Sequence, residues 1–169
     1  MTVFQCGDRV IYGAHGVCSI AAIEKKRIDK KFMEYYVLEP VDGSGSRYFV
    51  PTQNEAAVSK LRHMLSGDQV RELLASDSVH RDAWIEDEGL RKQHYKELIG
   101  GDDRAALVSM IHSLYKHREQ QAAAGRKFHL CDENFLRDAE RLLSSEMGLI
   151  LQLPPEQVIT YVQSALQEA

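Results

Sequence analysis

The chain is written in two hydrophobic periods. Up to about residue 52 the apolar positions form short runs of strand length: Val10-Ile11-Tyr12, Val17 to Ile23, Phe32 to Leu38 and Tyr48-Phe49-Val50. Each is β-branched or aromatic, as a half-buried pleated surface requires. Gly13 and Gly16, the charged segment Glu24 to Lys31 and the turn-rich Asp42-Gly43-Ser44-Gly45-Ser46 separate them and read as hairpin connections. Four or five short antiparallel strands in so few residues predict a small, strongly bent β-barrel.

Pro51 ends the last run, and from Asn54 the apolar positions recur at helical spacing. Leu61, Leu65, Val70, Leu73 and Leu74 come first, with Ser66-Gly67-Asp68 as a helix start and Ser76-Asp77-Ser78 as its stop. Asp82 is the expected cap of a helix carrying Trp84, Leu90, Tyr95, Leu98 and Ile99, which Gly100-Gly101-Asp102 ends while capping the next. That next helix carries Leu107, Met110, Ile111, Leu114 and Tyr115 and runs to about Gly125. Asp132 is the expected cap of another, and Pro154-Pro155 presets the first turn of the last. The pattern predicts an α+β chain: an N-terminal antiparallel β-barrel over residues 1–55, and an all-α bundle of four or five helices over residues 56–169.

Composition adds few constraints. An apolar fraction of 44% with 27% charged residues is that of an ordinary globular chain. No run approaches the length of a membrane span, and no secretory signal opens the sequence, so the expected location is the cytoplasm. Cys6, Cys18 and Cys131 form no paired-cysteine spacing, so neither a disulfide framework nor a zinc site is expected.

Charge is uneven. The formal net charge of -4 divides into nine basic against seven acidic residues up to Leu65, and twelve against eighteen from Ser66 onward. Within the second part, Arg91 to Lys127 holds eight basic and four acidic residues, a local basic surface in an acidic half.

No nucleophile elbow, phosphate-binding glycine loop or HExxH appears, so catalysis has no motif to rest on. His112 and His117 are five residues apart, and His94 lies on a different predicted helix, so neither pairing has the spacing of two metal ligands on one helix face. No cofactor is expected. GDRVIYGAHGVCSI reads as a turn between two strands, with His15 at its exposed tip and Cys18 on the second strand.

Two segments suggest interaction. Glu24 to Lys31 holds five basic residues at a hairpin tip: Lys25, Lys26, Arg27, Lys30 and Lys31. Such a run either solvates a turn and keeps a sheet edge from pairing, or steers one chosen partner onto that edge. Trp84 is the only tryptophan, set among Arg81, Asp82, Glu86, Asp87 and Glu88. It is either a core aromatic or an amphipathic wedge able to unstack a DNA base step, with Arg91, Lys92 and Lys96 downstream for phosphates.

The residues themselves carry a family likeness. FQCGDRVIYGAHGVCSIAAIE, then EYYVLEP and YFVP, resemble the RNA-polymerase-interacting module shared by CarD-type bacterial transcription regulators and transcription-repair coupling factors. WIEDEGLRKQHYKELIGGD and DENFLRDAERLLSSEMGLIL are similar to the helical domain of CarD proteins. The resemblance implies a Tudor-like domain docked on the polymerase β subunit by sheet extension. It also implies a helical domain touching promoter DNA in the minor groove, without reading sequence, to stabilise the open complex. By the same resemblance Lys26 marks the polymerase contact, and Trp84, Arg91 and Lys92 mark the DNA contact. Lys25, Arg27, Tyr48 and Phe49 are expected beside the first and Lys96, downstream on the same predicted helix, beside the second. Two positions depart from the family: Phe49 replaces a second basic residue, and Trp84 lies about one helical turn farther from Arg91 and Lys92. The competing reading is an adaptor on RNA polymerase whose helical domain binds another protein instead of DNA.

Overall fold

The computed structural model describes residues 3–167. It divides into two compact units, Met1–Met64 and Leu65–Ala169. The N-terminal unit holds strands β1 (Arg9–Tyr12), β2 (Val17–Ile28), β3 (Lys31–Pro40), β4 (Tyr48–Pro51) and β5 (Leu61–His63), with the single-turn helix α1 (Glu55–Val58) before β5. All pairings are antiparallel and the order is β4-β3-β2-β1-β5. The sheet is open, with β4 and β5 at its two edges; the expected closure into a barrel is absent from the described ladder.

Two local features shape the sheet. Between β1 and β2 a 3-10 turn, Gly13–His15, reverses the chain, and Gly13 and Gly16 take positive φ of 49° and 74°, which glycine adopts without a Cβ clash. In β2 the register against β3 shifts between Ile20 and Ala22, so Ala21 is a bulge that bends the strand.

The charged segment after Ile23 is strand, not loop. Ladder pairs continue through Lys25↔Glu34, Lys26↔Met33, Arg27↔Phe32 and Ile28↔Lys31. Only Asp29 and Lys30 make the turn, at φ of 49° and 65°, a two-residue connection needing the left-handed region twice. The run extends because cross-strand partners offer each cation a carboxylate or an apolar side chain to lie along.

Phe4, Val10, Cys18, Ile20, Tyr36, Leu38, Val50 and Leu61 form the core of this unit. Tyr36 Oη accepts from the backbone amides of Val3 and Phe4 at 3.1 and 3.3 Å, tying the N-terminal segment across the sheet. Leu61, expected on a helix, instead opens β5, which pairs with β1 through Tyr12↔Leu61. The expected boundary after residue 55 therefore precedes two elements that pack with the sheet, and the division falls after Met64.

The second unit holds α2 (Gly67–Ala75), a 3-10 turn (Asp77–His80), α3 (Glu88–Gly100), α4 (Arg104–Ala123), α5 (Leu130–Leu151) and α6 (Pro155–Gln167). Ser66 caps α2 through a reciprocal capping box with Gln69. Helix α4 is central: Leu107, Val108, Met110, Ile111 and Leu114 are all buried, more than one stripe of its surface. Its N-terminal Arg104 meets Glu146 of α5 at 3.0 Å, with each side chain 3% exposed. Gln152, at φ 57°, ends α5 before Pro154-Pro155.

Three expected caps move. Asp87, not Asp82, caps α3, accepting from the amide of Leu90; Asp103, not Asp102, caps α4 through Ala106. Helix α5 starts at Leu130 with His129 as a side-chain-free cap, and Asp132 turns inward instead. Trp84 consequently lies in the non-helical segment before α3, off the helix that carries Arg91, Lys92 and Lys96.

Candidate interaction surfaces

On the sheet, strand alternation sorts the expected contact residues. Successive side chains point to opposite faces, so three adjacent residues cannot share one. Tyr36, Leu38 and Val50 face the core; Tyr48, opposite Leu38, joins that side and packs on His15 with ring centroids 4.4 Å apart. Lys25, opposite Glu34, and Arg27, opposite Phe32, share this side on the protruding end of the hairpin. Phe32 is 73% exposed there, with the Arg27 guanidinium 5.9 Å from its ring centre.

The other face collects Lys26, Met33, Tyr35 and Phe49. The Lys26 ammonium lies 3.5 Å from the centre of the Phe49 ring. Tyr35 meets Phe49 edge to face at 6.5 Å, and its hydroxyl reaches the Met33 sulfur at 3.9 Å. This patch borders the free edge of β4. Of the five residues expected at the polymerase contact, Lys26 and Phe49 come together, while Lys25, Arg27 and Tyr48 do not join them.

The chain reversal between β1 and β2 leads into a buried thiol and carries an exposed imidazole. Cys18 is fully buried, and burial, with Asp42 adding to it, pushes its thiol up to about 11. The neutral thiol therefore prevails near neutrality, which suppresses the nucleophile. His15 is exposed and rests between Tyr12 and Tyr48. Among the described residues no group of three or more His, Cys, Asp or Glu side chains is placed to hold a metal ion.

In the helical unit the centre of the expected DNA contact is a layered stack. The Trp84 indole lies on the His117 imidazole, with centroids 3.6 Å apart and planes 15° from parallel. The Arg91 guanidinium is 4.3 Å from the same indole. Arg91 donates from Nε and Nη2 to the two carboxylate oxygens of Asp132 at 2.9 and 3.0 Å, and from Nη1 to the carbonyls of Ile85 and Glu86. This corrects the expectation for Arg91: it is 5% exposed and its charge is spent inside the fold on Asp132. Burial opposes that charge, but the hydrogen bonds and proximity of Asp132 outweigh it and hold the guanidinium pKa above its ordinary value.

His117 is held below the ordinary imidazole range, chiefly by burial, with Arg91 and His129 opposing its charge and Asp132 and Glu86 favouring it. Beside the stack, Asp82, Trp84, Glu86, Ser113, His117 and Gln120 line an open cleft of about 370 Å³. Asp82 also meets Lys116 at 3.6 Å. Lys92 is partly exposed and pairs with Glu88 at 2.7 Å, and Lys96 is exposed on the same helix. Asp132 is the partner of Arg91 that the sequence concealed, because its position at a helix start reads as a cap.

The family model for the CarD-like/TRCF RID domain matches residues 4–62, a span that takes in all five strands up to Arg62 of β5. No curated protein matches the chain. Among the described residues no helix is long and apolar enough to cross a membrane.

Proposed function

We propose, from the match of residues 4–62 to the family model for the CarD-like/TRCF RID domain, a domain of RNA polymerase interaction in transcription, that the chain is a non-enzymatic, cytoplasmic transcription regulator acting at promoters. Its N-terminal, Tudor-like sheet binds the β subunit of RNA polymerase by extending at β4. Its helical unit contacts promoter DNA in the minor groove without reading sequence and stabilises the open complex. The observation that carries the reading is the free edge of β4, bordered by the Lys26–Phe49 patch inside the matched domain. An edge strand with a cation beside it suits backbone pairing to a partner strand that bears a carboxylate.

On the helical side the proposed DNA contact rests on Lys92 and Lys96 at the surface of α3 and on Trp84 in the segment before that helix, positioned by Arg91. The test is direct. Core RNA polymerase should retain the full chain, and retention should be lost when β4 pairing is blocked by Phe49→Pro. Open-complex lifetime should shorten with Trp84→Ala; an unchanged lifetime removes Trp84 from the DNA contact.

The adaptor reading keeps a specific observation in its favour. Both faces of the Trp84 indole are occupied, and the adjoining cleft carries the carboxylates of Asp82 and Glu86, which repel phosphate. Crosslinks from the helical unit to protein rather than to promoter DNA would select it.

A further inference from the structure

The Lys26–Phe49 contact combines features that neither residue shows alone. Phe49 stands on the free edge strand and is 41% exposed, yet its ring is covered by an ammonium 3.5 Å from its centre. Lys26 is two strands away, on β2, opposite Met33 of β3, whereas Phe49 is opposite Val37, so the long lysine side chain reaches the ring diagonally across the face that also carries Tyr35. Among the described residues no carboxylate lies within salt-bridge distance of Lys26. Its charge is thus held in place by an aromatic face and left unneutralised.

A free lysine has a flexible four-carbon stem and loses rotamer freedom when it binds. A ring that already holds the ammonium removes part of that cost and steers the charge toward β4. The Tyr35 ring meets Phe49 edge to face, which keeps the phenyl from turning away.

We propose that Phe49 is a positioning residue: its ring presents the Lys26 ammonium to a carboxylate of the polymerase segment that pairs with β4. Lys25 and Arg27, on the opposite face, take no part in that ion pair. The inference rests on the polymerase-docking reading and goes beyond it by assigning Phe49 the placing of the Lys26 charge.

The experiment measures the affinity of the full chain for core RNA polymerase at fixed salt, with a double-mutant cycle on Lys26 and Phe49. Phe49→Leu keeps an apolar side chain but lacks a π face, and should weaken binding about three-fold. Phe49→Tyr keeps the π face and should restore affinity. Lys26→Met should weaken binding on the order of ten-fold, and the double variant Lys26→Met/Phe49→Leu should be no weaker than Lys26→Met. The double variant Lys25→Gln/Arg27→Gln should stay within about two-fold at moderate salt, where distant charges are screened.

In the free protein the side-chain methylene protons of Lys26 should show an upfield ring-current shift that disappears in Phe49→Leu and persists in Phe49→Tyr. Independent losses that multiply in the double variant, or the absence of the ring-current shift in the parent, would overturn the coupling while leaving polymerase docking standing. A parent chain that does not bind polymerase would remove the docking reading and this inference with it.

Discussion

Replacing Asp132 by asparagine removes one charge from the centre of the helical unit and leaves its shape nearly intact. In the parent, the Arg91 and Asp132 side chains are 6% and 2% exposed and joined by two parallel hydrogen bonds of 2.9 and 3.0 Å. An asparagine keeps one acceptor but cannot neutralise the guanidinium, which then stays buried without a counter-charge. Breaking a buried ion pair from one side costs about 3–5 kcal/mol. The retained acceptor and the carbonyls of Ile85 and Glu86 place the expected loss near the lower end, about 3 kcal/mol. For a unit of this size that corresponds to a fall in Tm on the order of 15 °C.

Trp84 is the only tryptophan, so urea unfolding followed by its fluorescence reports the helical unit alone. Far-UV circular dichroism follows the helices in parallel. The double variant Arg91→Met/Asp132→Leu should recover much of the loss, since neither charge is then buried unpaired. A single variant within about 1 kcal/mol of the parent, or a double variant less stable than the single, would refute the assignment of this pair as the pin of the stack.

Three further outcomes follow from the same geometry. His117 and His112 are both held below the ordinary imidazole value, chiefly by burial; the unfolded chain therefore takes up protons first, and their contribution is complete above about pH 6.5 and falls as pH drops below it. Urea midpoints measured from pH 7.5 to 5 should decline less steeply for His112→Gln/His117→Gln than for the parent. Alkylation of the native chain near pH 8 should modify exposed Cys6 well before Cys18, whose thiol is pushed up to about 11; equal rates would contradict that burial. Lys92→Gln/Lys96→Gln should lower the salt slope of promoter-DNA binding by about 2, roughly 0.9 for each phosphate that is no longer neutralised, and an unchanged slope would take α3 off the DNA.

Much of the fold was legible because the period of the apolar residues changes where the fold does. The runs at Val10, Val17, Phe32 and Tyr48 all lie in strands, and Ser66, Gly125 and Pro155 mark real helix ends. What escaped was decided by tertiary context. Glu24 to Ile28 looks like a loop by composition, but pairing with Lys31 to Tyr35 makes it strand. Leu61 fits a helical stripe, yet β1 offers it a ladder. Asp132 and Arg91 each read as surface groups, one a cap and the other a phosphate ligand. Only the approach of α3 to α5 turns them toward each other, and a local pattern has no means of showing a pair 41 residues apart.

The polymerase-contact residues were legible as a segment and not as a surface. A run of charged residues on a strand is two half-density rows facing opposite ways, and of Lys25, Lys26 and Arg27 only Lys26 falls, with Glu24, in the row that includes Phe49.

The edge of the sheet is stepped. Strand β4 pairs with Tyr35 to Leu38 only, so β3 itself forms the margin at Lys31 to Met33, one strand width further in. A straight foreign strand cannot run along both levels: it must stop at the riser or bend across it. The outer level therefore offers a partner strand only the four residues of β4 before the step.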